Sequence, residues 1–249
     1  MTRRWGSCLS LSNPATPADH TEAPELHLPA AIFWDMDGTL INTEPVWAET
    51  TFELSEKLGR RLTPEERKKT EGASFAESLR ICASWAEYEL GEGDEDRLRE
   101  WMYSRMAEKL ARGIELTPGI RPLLSLLEST GVPMFVTTNT ERSLADRCID
   151  AIGREYFTDS ITGDEVAAPK PAPDMYLEAA RRVGAAPGNC LVAEDSFTGM
   201  TAAAEAGCRV LGLANDVPHG VYKFDPSNFA GATVEDVSAW FAAAERRLG

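Results

Sequence analysis

The chain reads Ala31-Ile32-Phe33-Trp34-Asp35-Met36-Asp37-Gly38 close to its N-terminus. The four apolar residues predict a short buried strand, and the carboxylates of Asp35 and Asp37 follow at its carboxyl end. Gly38 permits a tight turn there. Ligands of open α/β sheets bind at this edge, where one carboxylate can act as a nucleophile while the other moves protons. These residues alone also fit a simple Asp-rich turn.

Composition limits the class of protein and its partners. The 249 residues carry a formal net charge of −15, and 43% of them are hydrophobic. This length fits one large domain or two smaller ones with a substantial core. The acidic balance argues against nucleic acids and anionic membranes as partners, because both need a basic surface. The sequence has no apolar run of about 18 residues, so it predicts no membrane-spanning helix.

The cysteines and the N-terminal residues bear on localisation. Five cysteines are widely spread and form no Cys-x-x-Cys pair, which indicates reduced thiols in a cytoplasmic protein. Residues 1–29 contain an Arg pair that is not followed by the apolar region of a secretion signal. We therefore expect residues 1–29 to be a disordered extension.

The fold follows from the alternation of apolar runs and helical patterns. Short, continuous apolar runs predict parallel strands covered on both faces, and they occur at residues 31–34, 132–137, 190–193 and 210–214. Helical patterns occur between them at residues 120–127, 143–152, 174–183 and 200–206. Strands that alternate with helices predict an α/β fold with a doubly wound, Rossmann-like parallel sheet.

One long segment interrupts this alternation. Residues 44–115 are rich in Glu, Lys, Arg, Leu and Ala, and they contain no convincing strand. Thr63-Pro64 is typical of a helix start, and Gly91-Glu92-Gly93-Asp94 separates two helical stretches. We therefore expect a helical cap domain of residues 44–115 over the active-site edge. Residues 30–43 and 116–249 would form the core domain.

Two further loops carry candidate site residues. Thr137-Thr138-Asn139-Thr140 ends the second predicted strand, where hydroxyls and backbone N–H groups can hold phosphate oxygens or cap a helix. Lys170 lies between Pro169 and Pro171. Prolines on both sides restrict the backbone and give the lysine a fixed position. A rigid surface loop without chemistry is the alternative for this segment.

The third of the predicted strands ends in Glu194-Asp195, at the same sheet edge as Asp35 and Asp37. Carboxylates about 4 Å apart repel one another by about 4 kcal/mol at an effective dielectric of 20, so such a cluster must gain protons or bind a cation. All-oxygen ligands that leave room for water and a substrate phosphate favour Mg²⁺.

In their order along the chain, these motifs resemble the haloacid dehalogenase-like (HAD) hydrolase superfamily, in the branch with a helical cap after the first motif. The likeness covers about residues 30–240. It implies that Asp35 is the nucleophile and that Asp37 is the acid/base. Thr138, with Asn139 beside it, would position the phosphate. Lys170 would steady the transferring phosphoryl group.

The same resemblance implies a metal site and an activity. Glu194 and Asp195 would complete an Mg²⁺ site with Asp35 and with Asp37, whose backbone carbonyl is the expected ligand. The implied enzyme is a Mg²⁺-dependent phosphatase that hydrolyses a small phosphorylated metabolite through an aspartyl phosphate. We expect it to act as a monomer or weak dimer.

The choice within the superfamily rests on two cap positions. The serious alternative is a mutase of the β-phosphoglucomutase type, which looks similar here. Those mutases carry a His about 12 residues after the nucleophile, where this chain has Trp47, and a cap Arg where Gly72-Ala73-Ser74-Phe75 places Phe75. The segment Thr43-Glu44-Pro45-Val46-Trp47 is instead similar to phosphatases that act on small sugar and polyol phosphates. Trp47 and Phe75 are therefore candidates for substrate contact, with packing in the cap core as the alternative.

Overall fold

A six-stranded sheet forms the centre of the computed structural model, which describes residues 26–70, 75–110 and 113–245. Its strands in chain order are β1 Ala31–Trp34, β2 Met134–Thr138, β3 Asp159–Thr162, β4 Cys190–Glu194, β5 Arg209–Gly212 and β6 Tyr222–Lys223. All neighbouring pairs are parallel, and the order across the sheet is β3-β2-β1-β4-β5-β6. The strand order reverses between β1 and β4, and a crevice at the carboxyl ends of such strands is the usual ligand site.

The α-helices of the described residues fall into two groups. Four of them, which we call the cap helices, lie between β1 and the next core helix: α1 Glu44–Lys57, α2 Pro64–Arg67, α3 Phe75–Ala86 and α4 Asp94–Leu110. The others belong to the core: α5 Ile120–Thr130, α6 Arg142–Ile152, α7 Asp174–Val183, α8 Phe197–Glu205 and α9 Val234–Ala243.

Strand β1 shows how the core is divided between the two faces of the sheet. Ile32 and Trp34 pack into the cluster that contains the apolar residues of α5, α6 and α9. Ala31 and Phe33 point the other way and pack against α7 and α8. Because successive side chains of a strand alternate between faces, an all-apolar strand is buried on both sides. The doubly wound α/β fold is thus confirmed.

The sequence located the central elements better than the peripheral ones. The four predicted strands are present, but β2 begins at Met134 rather than at residue 132. Pro133 precedes it and has no N–H to donate to a ladder. Strands β3 and β6 and helix α9 were not predicted from the sequence. Strand β3 contains one large apolar residue, Ile161, and both residues of β6 are exposed, so neither shows the pattern of a buried strand.

The helix signals predicted for the insertion are also present. Thr63 caps α2 by accepting a hydrogen bond from the backbone N–H of Glu66, and residues 91–93 separate α3 from α4. Residues 1–25 of the expected extension and residues 72–74 of the quoted cap segment lie outside the described residues.

Four cysteines in the described ranges are free and buried: Cys82, Cys148, Cys190 and Cys208. Burial raises the pKa of each, to about 11 for Cys190 and about 12 for the other three, so they are not reactive thiolates. Among the helices described here, none is both long enough and apolar enough to span a bilayer.

Candidate active site

Asp35 follows directly on β1 and lies in the crevice between the two central strands. Its backbone N–H donates to the carbonyl oxygen of Ala193 at 3.0 Å, and its residue surface is 7% exposed. The Nζ of Lys170 donates to Asp35 Oδ1 at 2.7 Å. Burial and Glu194 raise the pKa of the Asp35 carboxyl well above its usual range, while Lys170 acts in the opposite direction.

Lys170 is held from both its backbone and its side chain. Asn139 Nδ2 donates to the Lys170 carbonyl oxygen at 3.1 Å, and the Lys170 backbone N–H donates to Asn139 Oδ1 at 3.0 Å. Burial lowers the pKa of Lys170, but Asp35 and Glu194 together raise it well above its usual value, so the group is an ammonium. The two hydrogen bonds from Asn139 fix the lysine loop and engage both polar atoms of the Asn139 side chain. Contact between Asn139 and substrate stays a prediction.

Glu194 is completely buried and is surrounded by donors. Its Oε1 accepts hydrogen bonds from Lys170 Nζ and from the Tyr176 hydroxyl, the latter at 2.9 Å. Its Oε2 accepts from the backbone N–H of Ser196 at 3.1 Å and from the Ser196 hydroxyl at 2.9 Å. A carboxylate has about four lone-pair sites, and protein donors occupy that number here.

Asp195 completes a group of carboxylates that could hold a cation. One oxygen from each of Asp35, Glu194 and Asp195 lies within 4.8 Å of the others. Burial and the charge of Glu194 raise the pKa of Asp195 to about 7. In the described part of the chain the Asp195 carboxylate accepts a hydrogen bond from its own backbone N–H, and no side chain donates to it. A set of oxygen ligands in which the Asp195 carboxylate has no side-chain donor fits a hard divalent cation.

Two glycines make room for these carboxylates. A Cβ on Gly38 would lie 2.0 Å from Asp195 Oδ2, and Gly38 has a φ of +84°. A Cβ on Gly199 would lie 1.8 Å from Glu194 Oε1. Both distances are shorter than any allowed contact, so only glycine leaves Glu194 and Asp195 in these positions.

Asp37 is held by four side-chain donors from separate segments. Its Oδ1 accepts from the Thr43 hydroxyl at 2.6 Å and from Trp47 Nε1 at 3.4 Å. Its Oδ2 accepts from the hydroxyls of Thr140 at 2.7 Å and Thr138 at 3.3 Å. Thr43 and Trp47 lie at the start of α1, whereas Thr138 is the last residue of β2 and Thr140 follows that strand. The carboxylate therefore joins the cap helices to the core.

The two cap aromatics occupy different environments. Trp47 reaches Asp37, whereas Phe75 is 9% exposed and packs in the hydrophobic core. Both rings contact the Tyr103 ring edge to face, with centroids 6.4 Å and 6.0 Å away. The Tyr103 hydroxyl donates to Glu141 of the core at 3.4 Å. Trp47 thus lies beside Asp37, whereas Phe75 packs within the hydrophobic core.

Comparison with known proteins places this constellation in a family. The haloacid dehalogenase-like hydrolase family matches residues 29–207, which include all the site residues described above. The chain belongs to this family. As a HAD-like hydrolase with phosphatase relatives, it is a phosphoric monoester hydrolase.

Two similar sequences are named as phosphatases. The chain is 31% identical over 188 residues to the bifunctional riboflavin kinase/FMN phosphatase of Arabidopsis thaliana, and the match covers 75% of this chain. The match covers 48% of that relative, so the chain spans about half its length. The chain is also 27% identical over 192 residues to the phosphorylated carbohydrates phosphatase of Thermotoga maritima, covering 76% of this chain and 88% of the relative.

A solved structure of similar fold is that of CbbY from Rhodobacter sphaeroides in complex with phosphate. It aligns with a TM-score of 0.67 and 26% identity, over 86% of this chain and 100% of that chain. The likeness therefore extends over most of this HAD-like hydrolase.

The structure brings most of the sequence-predicted residues of this HAD-like hydrolase together and adds others. The hydrogen-bond partners of Asp37 and Glu194 were not predicted from the sequence, namely Thr43, Thr140, Tyr176 and Ser196. Thr43 and Thr140 belong to the motifs Thr43–Trp47 and Thr137–Thr140. Hydroxyls so close to a helix start usually act as caps, so the sequence did not point to their contact with Asp37. Tyr176 gave no signal, because a tyrosine on the apolar face of a helix is typical of core packing.

Proposed function

We propose that this HAD-like hydrolase requires Mg²⁺ and cleaves small phosphomonoesters, either sugar or polyol phosphates, through an aspartyl phosphate on Asp35. One observation carries the proposal: Lys170 Nζ lies 2.7 Å from Asp35 Oδ1, in a crevice where three carboxylates converge. Because the pKa values of Asp35 and Asp195 are raised, these groups either hold protons or bind a cation. With all three carboxylates ionised, a single ammonium leaves negative charge uncompensated. A substrate phosphate can approach such a site only if a cation offsets that charge.

The donor set supports Mg²⁺ over softer metals. Asp35 and Asp195 offer carboxylate oxygens, and the carbonyl oxygen of Asp37 accepts no main-chain hydrogen bond among the described residues. Four protein donors already engage Glu194, so it would contribute charge rather than a free lone pair. A bound Mg²⁺ would supply charge neutralisation for the carboxylates and for the substrate phosphate.

The first chemical step forms a bond between Asp35 and phosphorus. A carboxylate oxygen of Asp35 attacks the phosphorus atom, and the bond from phosphorus to the ester oxygen breaks. The electron pair goes to the leaving oxygen, which takes a proton from the carboxyl group of Asp37. The Lys170 ammonium lies beside the Asp35 carboxylate and stabilises negative charge there.

The second step returns the enzyme to its starting state. Asp37 is now a carboxylate that accepts hydrogen bonds from four side-chain donors. It takes a proton from a water molecule as that water attacks phosphorus. The bond between phosphorus and Asp35 breaks, inorganic phosphate leaves, and the water proton remains on Asp37 for the next cycle.

We propose that the cap, residues 44–115, selects the leaving group. Trp47 reaches Asp37, the residue that would protonate the departing alcohol, so the alcohol must lie close to this indole. Sugar and polyol faces pack well against an aromatic ring whose N–H is already engaged. The relative named as a phosphorylated carbohydrates phosphatase supports this substrate class. The relative named as an FMN phosphatase makes FMN the main alternative substrate.

A panel of phosphomonoesters tests this function. We expect the protein with Mg²⁺ to release phosphate from sugar and polyol phosphates with the highest kcat/KM of the panel, and more slowly from FMN and nucleoside monophosphates. The Asp35→Asn variant should be inactive on every member. Preference for FMN or a nucleotide would contradict the substrate class, and activity in Asp35→Asn would contradict the mechanism.

A second assay separates hydrolysis from isomerisation. Supplied with β-glucose 1-phosphate, catalytic glucose 1,6-bisphosphate and Mg²⁺, a phosphatase releases inorganic phosphate, whereas a mutase accumulates glucose 6-phosphate. We expect phosphate release, because Trp47 and Phe75 can neither carry a proton nor pair with a second phosphate. Efficient isomerisation with little phosphate release would contradict the proposal.

We also propose a cytoplasmic location, which the four buried, free cysteines support, because free thiols persist in a reducing compartment. Fractionation of the native host, with the protein detected by antibody, tests this. Recovery in an exported fraction would contradict it.

A further inference from the structure

Tyr176 is a buried titratable group that the mechanism above does not use. It lies on α7 with no exposed surface, and its hydroxyl donates to Glu194 Oε1 at 2.9 Å. Its ring lies beneath the Lys170 ammonium, with Nζ 5.3 Å from the ring centroid. The ring and the hydroxyl therefore both contact the charged groups that surround Asp35.

The ammonium of Lys170 has no spare donor in this arrangement. It can donate three hydrogen bonds, and its acceptors are Asp35 Oδ1, the Thr137 carbonyl oxygen and Glu194 Oε1. To bind an oxygen of a transferring phosphoryl group, Lys170 must release or share one of these three. The strength of the bond to Glu194 therefore limits how readily the ammonium can follow the phosphoryl group.

Tyr176 and Lys170 donate to the same oxygen of Glu194. Two donors on one acceptor share its electron density, so each bond is weaker than it would be alone. The other oxygen of Glu194 is engaged by Ser196 and contacts neither group. Tyr176 is thus the neutral group placed to moderate the attraction between Glu194 and Lys170.

We propose that Tyr176 is a positioning residue for Lys170. Its hydroxyl satisfies part of the Glu194 charge, so the ammonium can release Glu194 more readily and bind the transferring phosphoryl group. Without the hydroxyl, Glu194 Oε1 holds Lys170 as its single donor and draws it away from Asp35. This inference rests on the proposed function, in which Lys170 stabilises the reacting phosphoryl group.

The Tyr176→Phe variant tests the inference because it keeps the ring, and with it the core packing and the contact with the ammonium. We expect kcat to fall by about 3- to 10-fold, the range that loss of one hydrogen bond produces, while KM changes by less than about twofold. Vanadate mimics the transition state of phosphoryl transfer and binds in proportion to the stabilisation of that state. Its inhibition constant should therefore rise by the same factor as kcat falls.

Tyr156→Phe is the matched control. The Tyr156 hydroxyl hydrogen-bonds Ser125 at 3.1 Å, away from the site, so its removal should leave kcat and vanadate inhibition unchanged. A thermal unfolding scan of both variants shows whether either change acts through stability alone. Equal kcat and vanadate effects in Tyr176→Phe and Tyr156→Phe would overturn the inference.

A second measurement places the effect on Glu194. In a Glu194→Gln background the charge that draws Lys170 is gone, so adding Tyr176→Phe should change vanadate affinity by less than about twofold. An undiminished effect in that background would show that Tyr176 acts elsewhere and would overturn the inference. Failure of the wild-type protein to hydrolyse any phosphomonoester would instead contradict the proposed function itself.

Discussion

Trp47 donates a hydrogen bond from its indole Nε1 to Asp37 Oδ1 at 3.4 Å, so a cap helix reaches the proposed acid/base directly. The Trp47 ring packs on Tyr103, whose hydroxyl donates to Glu141 of the core. Glu141 follows Thr140, which donates to the other oxygen of Asp37. The contacts form a closed ring through cap and core. The position of the cap and the orientation of the Asp37 carboxyl are therefore linked.

We predict that Trp47→Phe impairs protonation of the leaving group. The phenyl ring fills most of the same space but has no donor for Asp37, and loss of one hydrogen bond corresponds to about a 3- to 10-fold loss in kcat/KM. A polyol phosphate leaves as a basic alkoxide and needs this proton, whereas p-nitrophenyl phosphate has a good leaving group and needs it much less. The fall in kcat/KM should therefore be confined to the alkyl ester.

Trp85→Phe serves as the control for this prediction. The Trp85 indole donates to the carbonyl oxygen of Arg61 within the cap, away from Asp37, so its loss should leave both substrates unaffected. An equal loss on both esters in Trp47→Phe would indicate that the indole acts by packing and not through Asp37.

We predict that Gly38→Ala inactivates the enzyme by displacing Asp195. The new Cβ would lie 2.0 Å from Asp195 Oδ2, so the carboxylate must move and the cation site must weaken. We expect kcat at saturating substrate to fall at least tenfold, and the concentration of Mg²⁺ needed for half-maximal activity to rise.

Gly131→Ala provides the comparison, because Gly131 also has a positive φ but a Cβ there meets no atom within 4 Å. It should cost about 1–2 kcal/mol in unfolding free energy through backbone strain and leave kcat unchanged. If both variants lose activity equally, backbone strain alone explains the effect of Gly38→Ala, and the displacement of Asp195 is contradicted.

The metal-free protein should lose stability as the pH rises from about 4 to about 7. Burial and Glu194 raise the pKa of Asp195 from 3.8 to about 7 in the folded state, so over this range the folded state binds a proton that the unfolded state has lost. The free energy of unfolding therefore falls as the pH rises toward the folded pKa of Asp195. Relative to pH 4, it is lower by roughly 2–4 kcal/mol at pH 8.

Thermal unfolding in EDTA between pH 5 and pH 8 measures this effect. We expect Tm to fall with rising pH in the wild-type protein and to fall less in Asp195→Asn, which has no charge to bury. Addition of Mg²⁺ at pH 8 should raise Tm and restore activity in the wild-type protein. Parallel pH curves for the two proteins, or full activity after exhaustive metal removal, would contradict the cation site.

The sequence predicted the centre of the fold because that centre obeys local rules. A continuous apolar run such as Ala31–Trp34 must be buried on both faces, and the residues at its carboxyl end must meet those after β2 and β4. The edges were not predicted, since the exposed residues of β6 and the polar residues of β3 are strands only through their neighbours.

The reactive groups of the site were predictable in the same way, but their partners were not. Asp35, Asp37, Lys170 and Asp195 each follow a strand or lie between prolines, and topology brings them together. The contact between Tyr176 and Glu194 depends on which face of α7 meets the sheet and on the depth of packing. The role of Asn139 in fixing Lys170 likewise depends on how two loops pack together.

The central claim is that Asp35 carries the phosphoryl group. The Asp37→Asn variant tests it most directly with p-nitrophenyl phosphate, whose leaving group needs little protonation while the later attack by water loses its base. We predict a rapid release of one equivalent of p-nitrophenol per enzyme, followed by very slow turnover, and mass spectrometry after acid quenching should locate the phosphoryl group on Asp35. Asp35→Asn should show neither the burst nor the label. Turnover in the wild-type protein with no burst and no label at Asp35 in Asp37→Asn would contradict the account.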